Sequence, residues 1–249
     1  MTSKTAAKQQ NYLKENFKFI QYRMEGGENN FMFKNIKAAI FDMDGTLIDS
    51  MWVWDKIDKN FLKKRNLPVP QDLKENLDKL DPDKTSKYFK DTFNLKETLK
   101  EIEQEWFDTA CYEYSNNVSL KPGVKEFLSL LKMNGIRIAL ATSNYSILVE
   151  TALKKNNIYN FFNAIVTSDD VARNKNFPDI YLFAAKKLKV PPKNCIVFED
   201  ILSAIKSAKS CGMIAVGVHD NYSEYEKTSI IHNADKYIYS YNELTNFFK

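Results

Sequence analysis

The stretch Phe41-Asp42-Met43-Asp44-Gly45-Thr46 sets two carboxylates two positions apart at the end of an apolar run. Both can face one site where the chain turns, and Gly45 permits that turn. Two close carboxylates repel unless a cation or a shared proton compensates. A second acidic pair, Glu199-Asp200, follows Phe198 at the end of another apolar run. Clustered carboxylate oxygens make a hard-ligand site suited to magnesium. Ala141-Thr142-Ser143-Asn144 closes a third run with hydroxyl and amide groups, and Lys175 stands in the stretch before Pro178.

These groups suit phosphoryl transfer. Asp42 is expected to attack phosphorus and form an acyl phosphate. Asp44 is expected to protonate the leaving oxygen and then to deprotonate the attacking water. Magnesium, with ligands expected among Asp42, Asp44, Asp200 and a backbone carbonyl, would offset the repulsion between carboxylate and phosphate. Glu199 either reaches the metal or supports its other ligands. Gly45, Thr142, Ser143, Asn144 and Lys175 are expected to hold the phosphate oxygens. Thr142 and Ser143 can also cap a helix starting near Tyr145, a role compatible with anion binding at a helix N-terminus.

The elements that must position these groups alternate along the chain. Lys37–Asp44 reads as a buried parallel strand. Strands are further expected over 136–142, 164–167, 195–200, 213–218 and 236–239, and helices over 123–133, 145–156, 178–188, 202–211 and 242–248. Repeated strand–helix units imply a doubly wound α/β fold with a parallel sheet covered on both faces. Ligands in such folds bind beyond the carboxyl ends of the strands, where every group named above lies. Residues 51–117 break the alternation. Their aromatic and leucine positions fall at helical spacing, punctuated by Pro68, Pro70 and Pro82, which predicts about four helices inserted after the first strand. The expected division is an extension over 1–31, a core over 32–50 and 118–249, and a helical cap over 51–117.

Asp42-Met43-Asp44-Gly45-Thr46-Leu47-Ile48-Asp49-Ser50 resembles the first motif of the haloacid dehalogenase-like hydrolases. Thr142-Ser143-Asn144 resembles the second, and Phe198-Glu199-Asp200 the fourth. Val171-Ala172-Arg173-Asn174-Lys175 with Pro178-Asp179-Ile180-Tyr181 resembles the third, although Asn174-Lys175-Asn176 replaces the usual Gly-Lys-Pro. The resemblance implies a Rossmann-like core, a phospho-aspartate route, magnesium and a helical cap between the first two motifs. The dehalogenase branch lacks the second aspartate, so Asp44 favours phosphate chemistry. The β-phosphoglucomutase-like branch has a cap histidine about ten residues past that aspartate. Here the position is Trp54, and residues 51–118 contain no histidine. The expectation is therefore a phosphatase acting on a small phosphorylated metabolite, with a phosphosugar mutase as the alternative. A phospho-accepting receiver domain fits less well, because it has no cap and carries its acceptor on a later strand. Trp52 and Trp54 either pack within the cap or line the substrate entrance.

Composition narrows the partners. The net charge is +4, and the lysine clusters at 63–64, 154–155 and 186–187 fall in expected helices. No continuous basic stripe suggests nucleic acid. No apolar run reaches the roughly 20 residues that span a bilayer. Cys111, Cys195 and Cys211 are odd in number and widely spaced, which fits a reducing cytoplasm. With two histidines, His219 and His232, and no Cys-x-x-Cys pair, structural zinc is not expected. A monomer or homodimer is expected.

Overall fold

The computed structural model describes residues 33, 35–77, 80, 84–171, 173 and 175–248. The expected extension over 1–31 lies outside them, as do Pro82, Ala172 and Asn174.

Six parallel strands form one sheet in the order β5-β4-β1-β6-β7-β8. In chain order they are β1 (Ala38–Phe41), β4 (Arg137–Ala141), β5 (Ala164–Val166), β6 (Cys195–Glu199), β7 (Ile214–Val218) and β8 (Lys236–Ile238). β1 runs between β4 and β6, with Phe41 opposite Leu140 on one side and Phe198 on the other. That shared register carries the residues after Phe41, Leu140 and Phe198 to one edge of the sheet, so three of the four motif segments meet there.

The period of two along each strand assigns side chains to faces. Ala39 and Phe41, Ile138 and Leu140, and Ile196 and Phe198 enter one core cluster. Ala38 and Ile40, Ala139 and Ala141, and Cys195 and Val197 enter the other. Helices α5 (Val124–Met133) and α6 (Ser146–Lys155) contribute Phe127, Leu131 and Leu148 to the first cluster. Helices α7 (Asp179–Leu188), α8 (Leu202–Ser210) and α9 (Lys227–Asn233) contribute Tyr181, Ile205 and Ile230 to the second. Burying each such side chain is worth about 1.5–3 kcal/mol, and both faces are needed to cover strands as apolar as β1. Phe41 stacks on Phe198 with centroids 4.6 Å apart, fixing the middle of the sheet directly behind the site.

Two two-residue strands, β2 (Ile48–Asp49) and β3 (Ser119–Leu120), pair antiparallel. Every described element between them is helical: α1 (Met51–Lys64), α2 (Leu73–Leu77), α3 (Thr85–Thr92) and α4 (Leu99–Asn116). α4 begins at a capping box between Thr98 and Glu101. These helices share a core of Phe61, Leu62, Leu73, Phe89, Leu95 and Ile102. Val53, Ile57, Ala110 and Tyr114 pack instead into the main core, which seats the insertion on the sheet domain.

Some expected elements differ. Residues 241–248 form a 3-10 helix rather than an α-helix. α9, β2 and β3 were not expected. α9 has only seven residues, with its two isoleucines adjacent and no side-chain cap, so it carries no helical period to read. Cys195 is buried, whereas Cys111 and Cys211 are partly exposed.

Candidate active site

Asp42 is the first residue past β1. Its backbone N–H donates to the Phe198 carbonyl at 3.1 Å, which keeps it in register with the end of β6. Carboxylate oxygens of Asp42, Glu199 and Asp200 lie within 4.8 Å of one another, and all three residues are buried. Lys175 is buried against them. Its Nζ donates to Asp42 Oδ1 and, at 2.7 Å, to Glu199 Oε1. Tyr181 OH donates to the same Glu199 oxygen at 2.6 Å. Thr46 Oγ1 donates to Asp200 Oδ1 at 2.9 Å and Ser223 Oγ to Asp200 Oδ2 at 3.2 Å.

Among the described residues the charges do not balance, since three carboxylates lie with one ammonium. Burial raises the Glu199 carboxyl to about 7; Lys175 opposes the shift and the Asp42 charge adds to it. Burial, then repulsion from Asp42 and Glu199, pushes Asp200 well above the usual carboxylate range. Burial alone would lower Lys175, but the Asp42 and Glu199 charges outweigh it and hold the ammonium protonated. Glu199 Oε2 is buried with no hydrogen-bond partner among the described residues. Hard oxygen donors, an excess of negative charge and an unsatisfied buried oxygen together fit a divalent cation.

Gly45 permits this packing. Its φ is +74°, and a Cβ there would sit 2.5 Å from Asp200 Oδ2. Any other residue would both strain the turn and push Asp200 aside. Around it, the Gly45 N–H donates to the Ile48 carbonyl at 3.0 Å and the Leu47 N–H to the Met43 carbonyl at 2.8 Å.

Asp44, expected as a metal ligand as well as the acid–base group, has its carboxylate outside the trio. Ser50 Oγ donates to Oδ1 at 2.6 Å, Tyr114 OH donates to the same oxygen, and Asn144 Nδ2 donates to Oδ2 at 2.8 Å. Burial and the neighbouring Asp42 charge raise the Asp44 carboxyl above its ordinary value, against these three donors.

Thr142 is buried at the end of β4, where its Oγ1 accepts from the Asn144 N–H at 3.1 Å. Asn144 Oδ1 in turn accepts from the Tyr145 N–H at 2.8 Å. The N-cap residue of α6, Tyr145, makes no side-chain cap bond of its own. Ser143 is exposed at this turn. Asp179, in the first turn of α7, accepts on Oδ1 from Arg173 at 2.9 and 3.2 Å. Trp54 meets Tyr114 edge-on with centroids 6.5 Å apart, and Trp52 Nε1 donates to the Asp49 carbonyl at 2.9 Å. Tyr114 and Ser223 were not foreseen as neighbours of the site, and only proximity in space brings them there, while Tyr181 stood in the third motif with no role read for it.

Residues 39–218 match the family model of haloacid dehalogenase-like hydrolases. The chain belongs to that family. The haloacid dehalogenase-like chain is 32% identical over 191 residues to a β-phosphoglucomutase of Bacillus subtilis, covering 74% of this chain and 83% of that one. It is 28% identical over 178 residues to a phosphorylated carbohydrates phosphatase of Thermotoga maritima, covering 72% and 82%. Among solved structures it resembles a family IA, variant 3 HAD hydrolase from Entamoeba histolytica. That match has a TM-score of 0.71 and 26% identity, over 86% of this chain and 99% of the other. This haloacid dehalogenase-like chain is thus an enzyme, of the phosphoric monoester hydrolase class.

Proposed function

We propose that the protein is a magnesium-dependent phosphatase that hydrolyses a small phosphorylated metabolite through a phospho-aspartate on Asp42. The observation that carries this reading is the position of Asp42. It is buried at the carboxyl end of the central strand, paired with Lys175 and grouped with Glu199 and Asp200. Asp42, Glu199 and Asp200 would hold the ion, which supplies positive charge against the repulsion of an anionic ester. Asp42 attacks phosphorus in line with the ester oxygen, and the P–O electron pair leaves with that oxygen. Asp44 gives it a proton, then takes one from the water that attacks the acyl phosphate. Lys175, Thr142 and the turn at Ser143-Asn144 surround the non-bridging oxygens. Free cysteines at 111, 195 and 211 fit work in a reducing cytoplasm. By likeness to the Thermotoga phosphatase, phosphorylated carbohydrates are the first substrates to try.

The B. subtilis relative supports a second reading, a phosphosugar mutase. Trp54 weighs against it, since an indole cannot act as the titratable partner that a histidine supplies. The phospho-aspartate route is tested by Asp42→Asn, which removes the nucleophile at nearly constant volume. Phosphate release should fall at least about 1,000-fold, with the folded circular dichroism spectrum retained. Beryllium fluoride should protect Asp42 and no other carboxylate. Turnover surviving in Asp42→Asn would overturn the route.

A further inference from the structure

The ring of donors around Asp44 is more elaborate than an acid–base group requires. Tyr114 is fully buried in the last turns of α4. Its hydroxyl donates to Asp44 Oδ1 and accepts from Asn144 Nδ2 at 3.1 Å. Asn144 Nδ2 also donates to Asp44 Oδ2 at 2.8 Å, so the carboxylate, the phenol and the amide close a cycle. Ser50 completes the set on Oδ1 at 2.6 Å. The three donors come from three places: the start of α1, the end of α4 and the turn after β4. Burial raises the Tyr114 hydroxyl well above its ordinary value, so it stays a donor. A buried phenol needs a polar partner, and here the partner is the proposed acid–base group.

Resting on the phosphatase reading above, we infer that Tyr114 is a positioning residue: with Asn144 it orients the Asp44 carboxylate toward the leaving-group oxygen, and so makes proton transfer depend on the seating of the helical insertion. Asp44 itself carries the proton. As the Asp42 O–P bond forms and the ester P–O bond breaks, the Asp44 proton passes to the departing oxygen. Asp44 is left as a carboxylate, to which the Tyr114, Asn144 and Ser50 hydrogens all point. The same carboxylate then takes the proton of the incoming water. Geometry precedes proton affinity in such a transfer, and a side chain with two free torsions needs fixed neighbours to hold it.

Tyr114→Phe removes one oxygen and keeps the ring against Trp54. Protonation matters most for poor leaving groups, so the variant should be measured with magnesium on a series of esters from 4-nitrophenyl phosphate to alkyl phosphates. The expected result is a kcat/KM loss of about 10–100-fold on alkyl phosphates and under about 3-fold on 4-nitrophenyl phosphate, with KM nearly constant. The dependence on leaving-group pKa should steepen. Adding Tyr114→Phe to Asp44→Asn should cost nothing further, because the two residues act as one unit. If Tyr114→Phe does not fold, Ser50→Ala removes the other donor to the same oxygen and should steepen the same dependence. A uniform loss across the series, or no loss, overturns the positioning role while leaving the phosphatase reading intact. A wild-type protein that releases no phosphate from any ester sinks that reading first, and this inference with it.

Discussion

Among the described residues Lys175 is the one ammonium paired within the trio, with Asp42 and Glu199, and this shortage of positive charge has a measurable consequence. The Glu199 carboxyl is raised from 4.5 to about 7, so the folded chain keeps a proton that the unfolded chain gives up. The stability this contributes is complete below about pH 4.5 and is lost as pH rises through about 7. Asp200 shifts the same way. In chelator, the melting temperature should therefore fall between pH 5 and pH 8, and magnesium should restore more of it at pH 8 than at pH 5. Asp58 in α1 is also raised to about 7, by burial and by Asp55; an Asp58→Asn background removes its share. A melting temperature that climbs across this window in chelator would contradict the excess of buried negative charge. The charged groups were legible because their types and local spacing announce the chemistry. Tyr114 and Ser223 were not, and Tyr181 stood in the third motif without a role. Tyr114 lies 70 residues from Asp44 along the chain, and nothing beside it in sequence separates it from the exposed Tyr112.

At the scale of elements, β3 is anchored by the residue that follows it. Lys121 Nζ pairs with Asp220 at 2.8 Å, with side chains only 10% and 4% exposed, and also donates to the His219 carbonyl. Asp220 caps the next turn by accepting from the Tyr222 N–H at 2.8 Å, and that turn carries Ser223 to Asp200. A lysine at the edge of the insertion thus supports Asp200, one of the proposed metal ligands, through one 3-10 turn. Lys121→Met leaves the Asp220 charge buried and unpaired, which costs about 3–5 kcal/mol. Denaturant melts should show that loss, and a magnesium titration of activity should shift to higher concentration. Adding Asp220→Asn should recover most of the stability. A stability loss with no change in the magnesium requirement would show that the turn does not position Asp200. The long strands and amphipathic helices were legible from their periods. β2 and β3 were not, because two residues carry no period, and their pairing is set by the turn at Gly45 and by Pro122-Gly123 beyond.

For the whole molecule, the shared register of β4, β1 and β6 explains why segments about 100 and 157 residues from Asp42 arrive at one edge. The alternation of strand and helix made that arrangement readable, whereas the substrate is not spelled out by any one segment. Water as the acceptor should prevail over a second sugar hydroxyl, since Trp54, which meets the Tyr114 ring edge-on, stands at the chain position where the mutase branch has an imidazole. Free phosphate should accumulate from glucose 1-phosphate faster than glucose 6-phosphate appears. Following all three species in one time course decides it, and isomerisation outrunning release would assign the mutase. The β2–β3 ladder has a separate bearing on how such a molecule changes over time. Pairing Asp49 with Ser119 puts the departure and return of the chain side by side, about 5 Å apart. The helices between them are a detour from the sheet, and a tight turn across that gap would close the parallel core without them. Helices there can therefore lengthen, diverge or be exchanged for others without shifting the register behind Asp42. Substrate preference can drift by substitution in one continuous stretch of the gene while Asp42, Glu199 and Asp200 stay where they are, provided Tyr114 keeps its place beside Asp44.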